Sequence, residues 1–280
     1  MKIVVCFKAV PDFDQVVDAD WEHFDLSGGL EYVKRVFGCF DESALETALR
    51  LRSAWEAGGE KTECAALTAA PLPAPLCKTL FAAGFDRVLD LSGPFTGESP
   101  ALSAEFRPRR IAAVLGSCLG PGEYDLILTG RQAGYADTGT VPLLLAEALG
   151  IPVLTGVEEI LPCAGGIEVW RTTETGRERL RVRLPLLAAL GNSPVSALRA
   201  VTLSARMAAS RRNAERPAFP SDTTPPFNGQ DGGQKMPDSG EPPRFSRENR
   251  HKVCRFLPAG GDLARSVAEL REEYLRGREG

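Results

Sequence analysis

Histidine is nearly missing from this 280-residue chain, which carries only His23 and His251. The two are far apart, and none of the seven cysteines forms a C-x-x-C pair. Common zinc sites and His-based catalytic triads are therefore disfavoured, and any chemistry must rest on something other than imidazole. Long apolar runs are missing too. The longest candidate, Val141–Leu154, is interrupted by Glu147 and Pro152, short of the ~20 residues a membrane span needs. No excess of one charge exists: 33 Lys+Arg against 37 Asp+Glu leave a net charge of -4. That argues against whole-chain attraction to nucleic acid or anionic lipid. The first residues, MKIVVCFKAVPD, hold a short apolar run broken by Lys8 and Pro11, unlike a signal peptide. An odd number of scattered cysteines in mostly apolar contexts predicts a reducing, cytoplasmic setting.

What is present is an ordinary globular composition, 43% hydrophobic and 25% charged, on a chain long enough to bury a sizeable core. Ile3, Val4 and Val5 in succession predict a buried strand over Lys2–Val5. Leu30–Phe37, behind Gly28-Gly29, is a candidate short strand. The spacing of Ala44, Ala48, Leu51 and Trp55 predicts a helix over Asp41–Glu56, with Asp41 as N-cap and Gly58-Gly59 as stop. Strands at Glu63–Thr68, Arg87–Leu91 and Tyr124–Thr129 are expected to alternate with helices at Pro75–Gly84, Arg109–Leu119 and Thr140–Leu149. Apolar strands alternating with helices predict an α/β fold, a parallel sheet with helices on both faces.

After Val153 the pattern changes. Gly156–Leu161, Ile167–Thr172 and Arg179–Leu184 read as a small antiparallel extension, with glycines at the turns. Leu186–Leu190 is a further apolar run, and Val195–Arg212 is a candidate helix with a basic end. Residues 1–212 are expected to form one α/β domain. Residues 213–249, rich in Pro, Gly and Ser, read as a flexible insert. Residues 250–280 read as a strand and helix arm, with Leu263, Val267, Leu270 and Tyr274 on one helical face.

Ligands of open parallel sheets bind beyond the carboxyl ends of the strands. Cys6–Val10, Ala69–Pro71 and Thr129–Thr140 fit that place. In the third, Asp137-Thr138-Gly139-Thr140 stands at a helix start. Two readings are open there: backbone N–H groups that hold a phosphate, or an ordinary loop with Asp137 or Thr138 as N-cap. Ser27-Gly28-Gly29 lies too far from the first strand for an ATP-splitting phosphate loop and reads as a turn. The acidic stretch Asp12, Asp14, Asp18 and Asp20 lacks calcium-loop spacing and reads as a solvated loop.

The segments KIVVCFKAVPD, FDESALETALRL, AAGFDRVLDL and LILTGRQAGYADTGTVPLLLAEALGIP resemble the β subunit of electron transfer flavoproteins, as does RLRVRLPLLAAL with Asn192 and Pro194. The resemblance covers roughly residues 1–212, and the D-T-G loop is its most specific part. It implies an adenine-nucleotide-hydrolase-like fold and pairing with an α subunit that carries most contacts to a redox FAD. It also implies a nucleotide of the chain's own, AMP or a second FAD. By position, that nucleotide would meet Cys6, Lys8, Gly38, Cys39, Phe40, Asp41, Ala69, Gln132, Ala133, Asp137, Thr138, Gly139, Thr140 and Val141. Leu203, before a basic run, would anchor an acyl-CoA or other flavin dehydrogenase. Gly38-Cys39-Phe40 stands where the family has Asn-Pro-Phe, and Thr140 where it has Gln. The resemblance thus implies an electron carrier rather than an enzyme, possible within a bifurcating complex. A stand-alone adenine-nucleotide-binding regulatory module of the same fold is the alternative.

Overall fold

The computed structural model describes residues 1–17, 32–93, 108–120, 122–135 and 138–217. Asp137, both histidines, the Ser27-Gly28-Gly29 turn, residues 218–249 of the expected insert and the whole 250–280 arm lie outside the described residues.

Among the described residues, ten strands and five α-helices are defined. In chain order they are β1 (Lys2–Cys6), β2 (Ala9–Pro11), β3 (Arg35–Phe37), α1 (Cys39–Ala57), β4 (Glu63–Thr68), α2 (Ala74–Ala83), β5 (Arg87–Asp90), α3 (Pro108–Leu119), β6 (Leu126–Gly130), α4 (Val141–Leu149), β7 (Val153–Cys163), β8 (Gly166–Thr173), β9 (Gly176–Val182), β10 (Leu186–Leu190) and α5 (Leu203–Ala209). Eight strands form one sheet in the order β5-β4-β1-β6-β10-β7-β8-β9, and β2-β3 form a separate antiparallel pair. From β5 to β7 every pairing is parallel, whereas β8 and β9 add an antiparallel extension. The fold is therefore the expected α/β class.

Side-chain alternation along the strands divides the core into two layers. Ile3, Val5, Leu126, Leu128, Leu186, Ala188 and Leu190 point to the layer holding Ala44, Leu45, Ala48 and Leu49 of α1. Val4, Cys6, Ile127 and Leu187 point to the other, against Leu115 and Leu119 of α3 and Leu145 and Leu149 of α4. Strands sandwiched this way need apolar residues at every position, which is why β1 and β10 show no polar alternation.

Two expectations are corrected. Gly38, not Asp41, is the N-cap of α1, and the helix begins at Cys39. The helix expected over Val195–Arg212 is confined to Leu203–Ala209. Arg199 explains the short helix. Its backbone N–H and its guanidinium both donate to Glu46 of α1 at 3.0–3.1 Å, while Leu198 and Val201 pack on the core. Those demands hold residues 195–202 out of helix, and Thr202 then caps α5 by accepting from the Ala205 N–H at 3.2 Å.

β7 has two roles. Its start runs parallel to β10, and its end pairs antiparallel with β8. The switch falls at Gly156, which has φ 67°, and a Cβ there would lie 2.6 Å from the Thr172 carbonyl oxygen. Only glycine meets both conditions. The Leu184–Pro185 peptide bond, just before β10, is cis.

The last described residues continue along the outer edge of β5. Glu215 accepts from Asp90 through its carbonyl and donates its N–H to the Val88 carbonyl, at 2.9 and 2.8 Å. Its carboxylate takes a two-pronged ion pair from Arg87, and Arg216 pairs with the buried Asp90.

Candidate functional site

A cavity of about 220 Å³ opens at the carboxyl ends of β1, β4 and β6. Its apolar side is formed by Ala69, Ala70 and Pro71 after β4, Ile111 and Leu115 of α3, and Val141 and Pro142 of α4. Its polar side is formed by Lys8, Asp41, Arg131, Gln132 and Thr138.

Two strand-end loops are tied together beside it. Lys8 follows β1, and its Nζ donates to the Tyr135 carbonyl at 2.8 Å while lying 5.5 Å from the Tyr135 ring centroid. The Tyr135 ring in turn meets Phe13, with centroids 5.8 Å apart. Arg131, after β6, donates its N–H to the Leu190 carbonyl at 2.7 Å. The Lys8 bond holds the loop after β6 beside the loop after β1, and the Arg131 bond holds the start of the β6 loop against the end of β10.

Asp41 sits in the first turn of α1, and its carboxylate faces the β1 and β6 ends. The Lys8 N–H donates to Asp41 Oδ2 at 3.3 Å. Burial pushes the carboxyl up to about 7, against the lowering effects of the Lys8 and Gly130 N–H groups and the Lys8 charge. Gly130 is fixed by the same contact. A Cβ there would stand 2.6 Å from Asp41 Oδ1 and 3.1 Å from the Phe40 carbonyl carbon. Burial also pushes the Cys6 thiol up, so this side chain is neutral.

The start of α4 supplies the site's other electrostatic feature. Thr140 is its N-cap and makes no side-chain cap hydrogen bond. Thr138, one of the two caps considered from sequence, instead shares a hydrogen bond with the Thr140 hydroxyl at 3.0 Å. The first turn, where Pro142 contributes no N–H, thus offers the Val141 and Leu143 N–H groups and the positive end of the helix dipole beside the cavity.

Of the residues expected from sequence, Cys6, Lys8, Asp41, Ala69, Gln132, Ala133, Thr138, Gly139 and Val141 line this one cavity. Gly38, Cys39, Phe40 and Thr140 do not. Gly38 caps α1, Cys39 is exposed, Phe40 backs Gly130, and Thr140 caps α4. Ala70 and Thr129 also line it, within the strand-end segments picked out from sequence though not among the individual contacts expected. Sequence reasoning missed Pro108, Ile111, Leu115 and Pro142. No signal existed for Ile111 and Leu115, whose spacing shows a helix face but not which cavity it borders.

Leu203 lies apart from this cavity, at the start of α5. It is 74% exposed, and Met207 one turn later is 68% exposed. Together they give the short helix an outward apolar face.

The chain is similar to several known proteins. The electron transfer flavoprotein domain model matches residues 31–221. The electron transfer flavoprotein subunit beta of Megasphaera elsdenii is 30% identical over 188 residues, 67% of each chain. The protein FixA of Azorhizobium caulinodans is 34% identical over 192 residues, 67% of this chain and 64% of its own. The caffeyl-CoA reductase-Etf complex subunit CarD of Acetobacterium woodii is 31% identical over 191 residues, 67% of each chain. Among the described residues no helix is long and apolar enough to cross a membrane. The domain match over most of the chain, and the identity shared with these relatives, show that the chain belongs to the β-subunit family of electron transfer flavoproteins.

Proposed function

We propose that this chain is the β subunit of a cytoplasmic electron transfer flavoprotein. It pairs with an α subunit, with which it shares a redox FAD, and it holds an adenylate of its own, either AMP or the adenylate part of a second FAD. The observation that carries this reading is the cavity, with its apolar side against a polar side built from Lys8 and the start of α4, whose N-cap Thr140 makes no side-chain cap hydrogen bond. An adenylate has a flat base at one end and an anionic phosphate at the other. Lys8 and the N–H groups at the start of α4 suit the phosphate. The walls at Ala69, Ala70, Ile111 and Leu115 suit the base. Thr138 and Gln132 would add hydrogen bonds, as would Asp137 by position.

Flavin, when bound, supplies the redox chemistry. The chain's own residues bind, orient and exclude water. Cys6 is neutral and buried, which fits a packing rather than a nucleophilic role. The outward face of Leu203 and Met207 supports docking of a dehydrogenase and favours a carrier over a stand-alone nucleotide module.

The test is to purify the chain with its α partner, denature the complex and count released nucleotides per heterodimer. One FAD with one AMP, or two FAD, is the expected result. No adenylate beyond a single FAD would refute the nucleotide reading. Leu203→Ala is expected to slow electron exchange with the dehydrogenase by about tenfold while bound flavin stays unchanged. An unaltered rate would remove Leu203 as the anchor.

A further inference from the structure

Thr129, the penultimate residue of β6, lines the cavity, is only 4% exposed, and its Oγ1 has no hydrogen-bond partner among the described residues. A buried hydroxyl left without a partner is costly, so its retention needs a reason. Strand alternation puts Thr129 on the same side of the sheet as Ile127, facing α3 and α4. Its register partners are Cys6 of β1, whose thiol is a weak hydrogen-bonding group, and Ala189 of β10, which has none to offer. The nearby lining residues Ile111, Leu115 and Val141 offer no polar side-chain atom. This hydroxyl is therefore a donor and acceptor set among apolar side chains.

We propose that Thr129 is a ligand-contacting residue whose hydroxyl hydrogen-bonds the edge of a flat heteroaromatic base held against the apolar walls. The proposal rests on the adenylate reading above and deepens it. It assigns base recognition to a side chain of β6, where Lys8 and the start of α4 serve the phosphate. A hydroxyl that both donates and accepts suits a base edge bearing ring nitrogens and an amino group. An apolar isostere would keep the shape of the pocket and lose the bond.

The experiment titrates AMP and, separately, FAD into the nucleotide-free full chain, as wild type, Thr129→Val and Thr129→Ser, and records the thermal midpoint of each. Thr129→Val is expected to weaken binding about tenfold. Thr129→Ser is expected to stay within about threefold of wild type, because it keeps the hydroxyl. The midpoint of ligand-free Thr129→Val is expected to be no lower than that of wild type, since an orphaned hydroxyl has been removed. Equal affinity of wild type and Thr129→Val would overturn the assignment while leaving the adenylate reading intact. A lowered midpoint with weakened binding that serine does not rescue would make Thr129 a packing residue and also overturn it. Failure of wild type to bind either nucleotide would overturn the adenylate reading, and this assignment with it.

Discussion

Asp41 and Gly130 show how closely residues at this site depend on one another. Asp41 looks from sequence like an acidic helix cap, because carboxylates are common at helix starts. Its role is different: it accepts N–H groups from two strand-end loops, and it does so while buried. A carboxyl raised from 3.8 to about 7 binds a proton in the folded chain that it has released in the unfolded one. Its contribution to stability is full below about pH 4 and is lost as pH rises through 7, by at most about 4 kcal/mol. Asp41→Asn is expected to flatten that slope. Urea midpoints taken across pH 4–8 would decide it, and a variant as pH-dependent as wild type would show that another group is responsible. Gly130→Ala pushes a methyl into the Asp41 carboxylate and the α1 backbone. A loss of about 1–3 kcal/mol is expected, together with weaker nucleotide retention. Unfolding curves matching wild type would mean that α1 shifts without penalty.

Among the elements, legibility depended on how local the deciding forces are. The strands β1 and β6 and the helices α1 and α4 were readable, because apolar period and glycine stops act within a few residues. The run Leu186–Leu190 was readable as apolar, but its place between β6 and β7 was not. That place follows from parallel pairings with strands far away in sequence. α5 was overestimated for the same reason. Glu46, 153 residues from Arg199, takes the backbone and side-chain donors that a longer helix would have used. Burial works against the Glu46 charge, yet the hydrogen bonds from Arg199 and Arg50 hold its carboxyl below the usual range. Arg199→Ala is therefore expected to cost about 1.5–3 kcal/mol. It should also loosen the segment carrying Leu203, slowing electron exchange without releasing nucleotide. Hydrogen exchange across residues 195–209 would report the loosening, and unchanged protection would separate α5 from this clamp. At the site, the loops after β1, β4 and β6 were legible from the rule that ligands meet strand ends. The apolar wall from α3 was not, since it depends on how α3 lies across the sheet.

At the scale of the whole molecule, the compositional change near residue 213 does not mark where contacts with the sheet stop. Glu215 and Arg216 bond to β5 through both backbone and side chains. A deletion of residues 213–249 and one of residues 218–249 should therefore differ. The first removes the Glu215 contacts and is expected to be less stable by about 1–2 kcal/mol. Equal thermal midpoints would show that the edge contacts contribute nothing measurable.

Those contacts also bear on how copies of the chain behave toward one another. An open sheet has two outer strands, and each is a template on which another chain's strand could add. At β5 the chain lays its own residue 215 along that template. At β9 no strand follows among the described residues. There Arg177, Arg179, Arg181 and Arg183 stand exposed at every second position. A second β9 approaching that edge would bring a matching row of guanidinium groups, and their like charge, only partly offset by Glu158 and Glu168, opposes edge-to-edge aggregation of the chain.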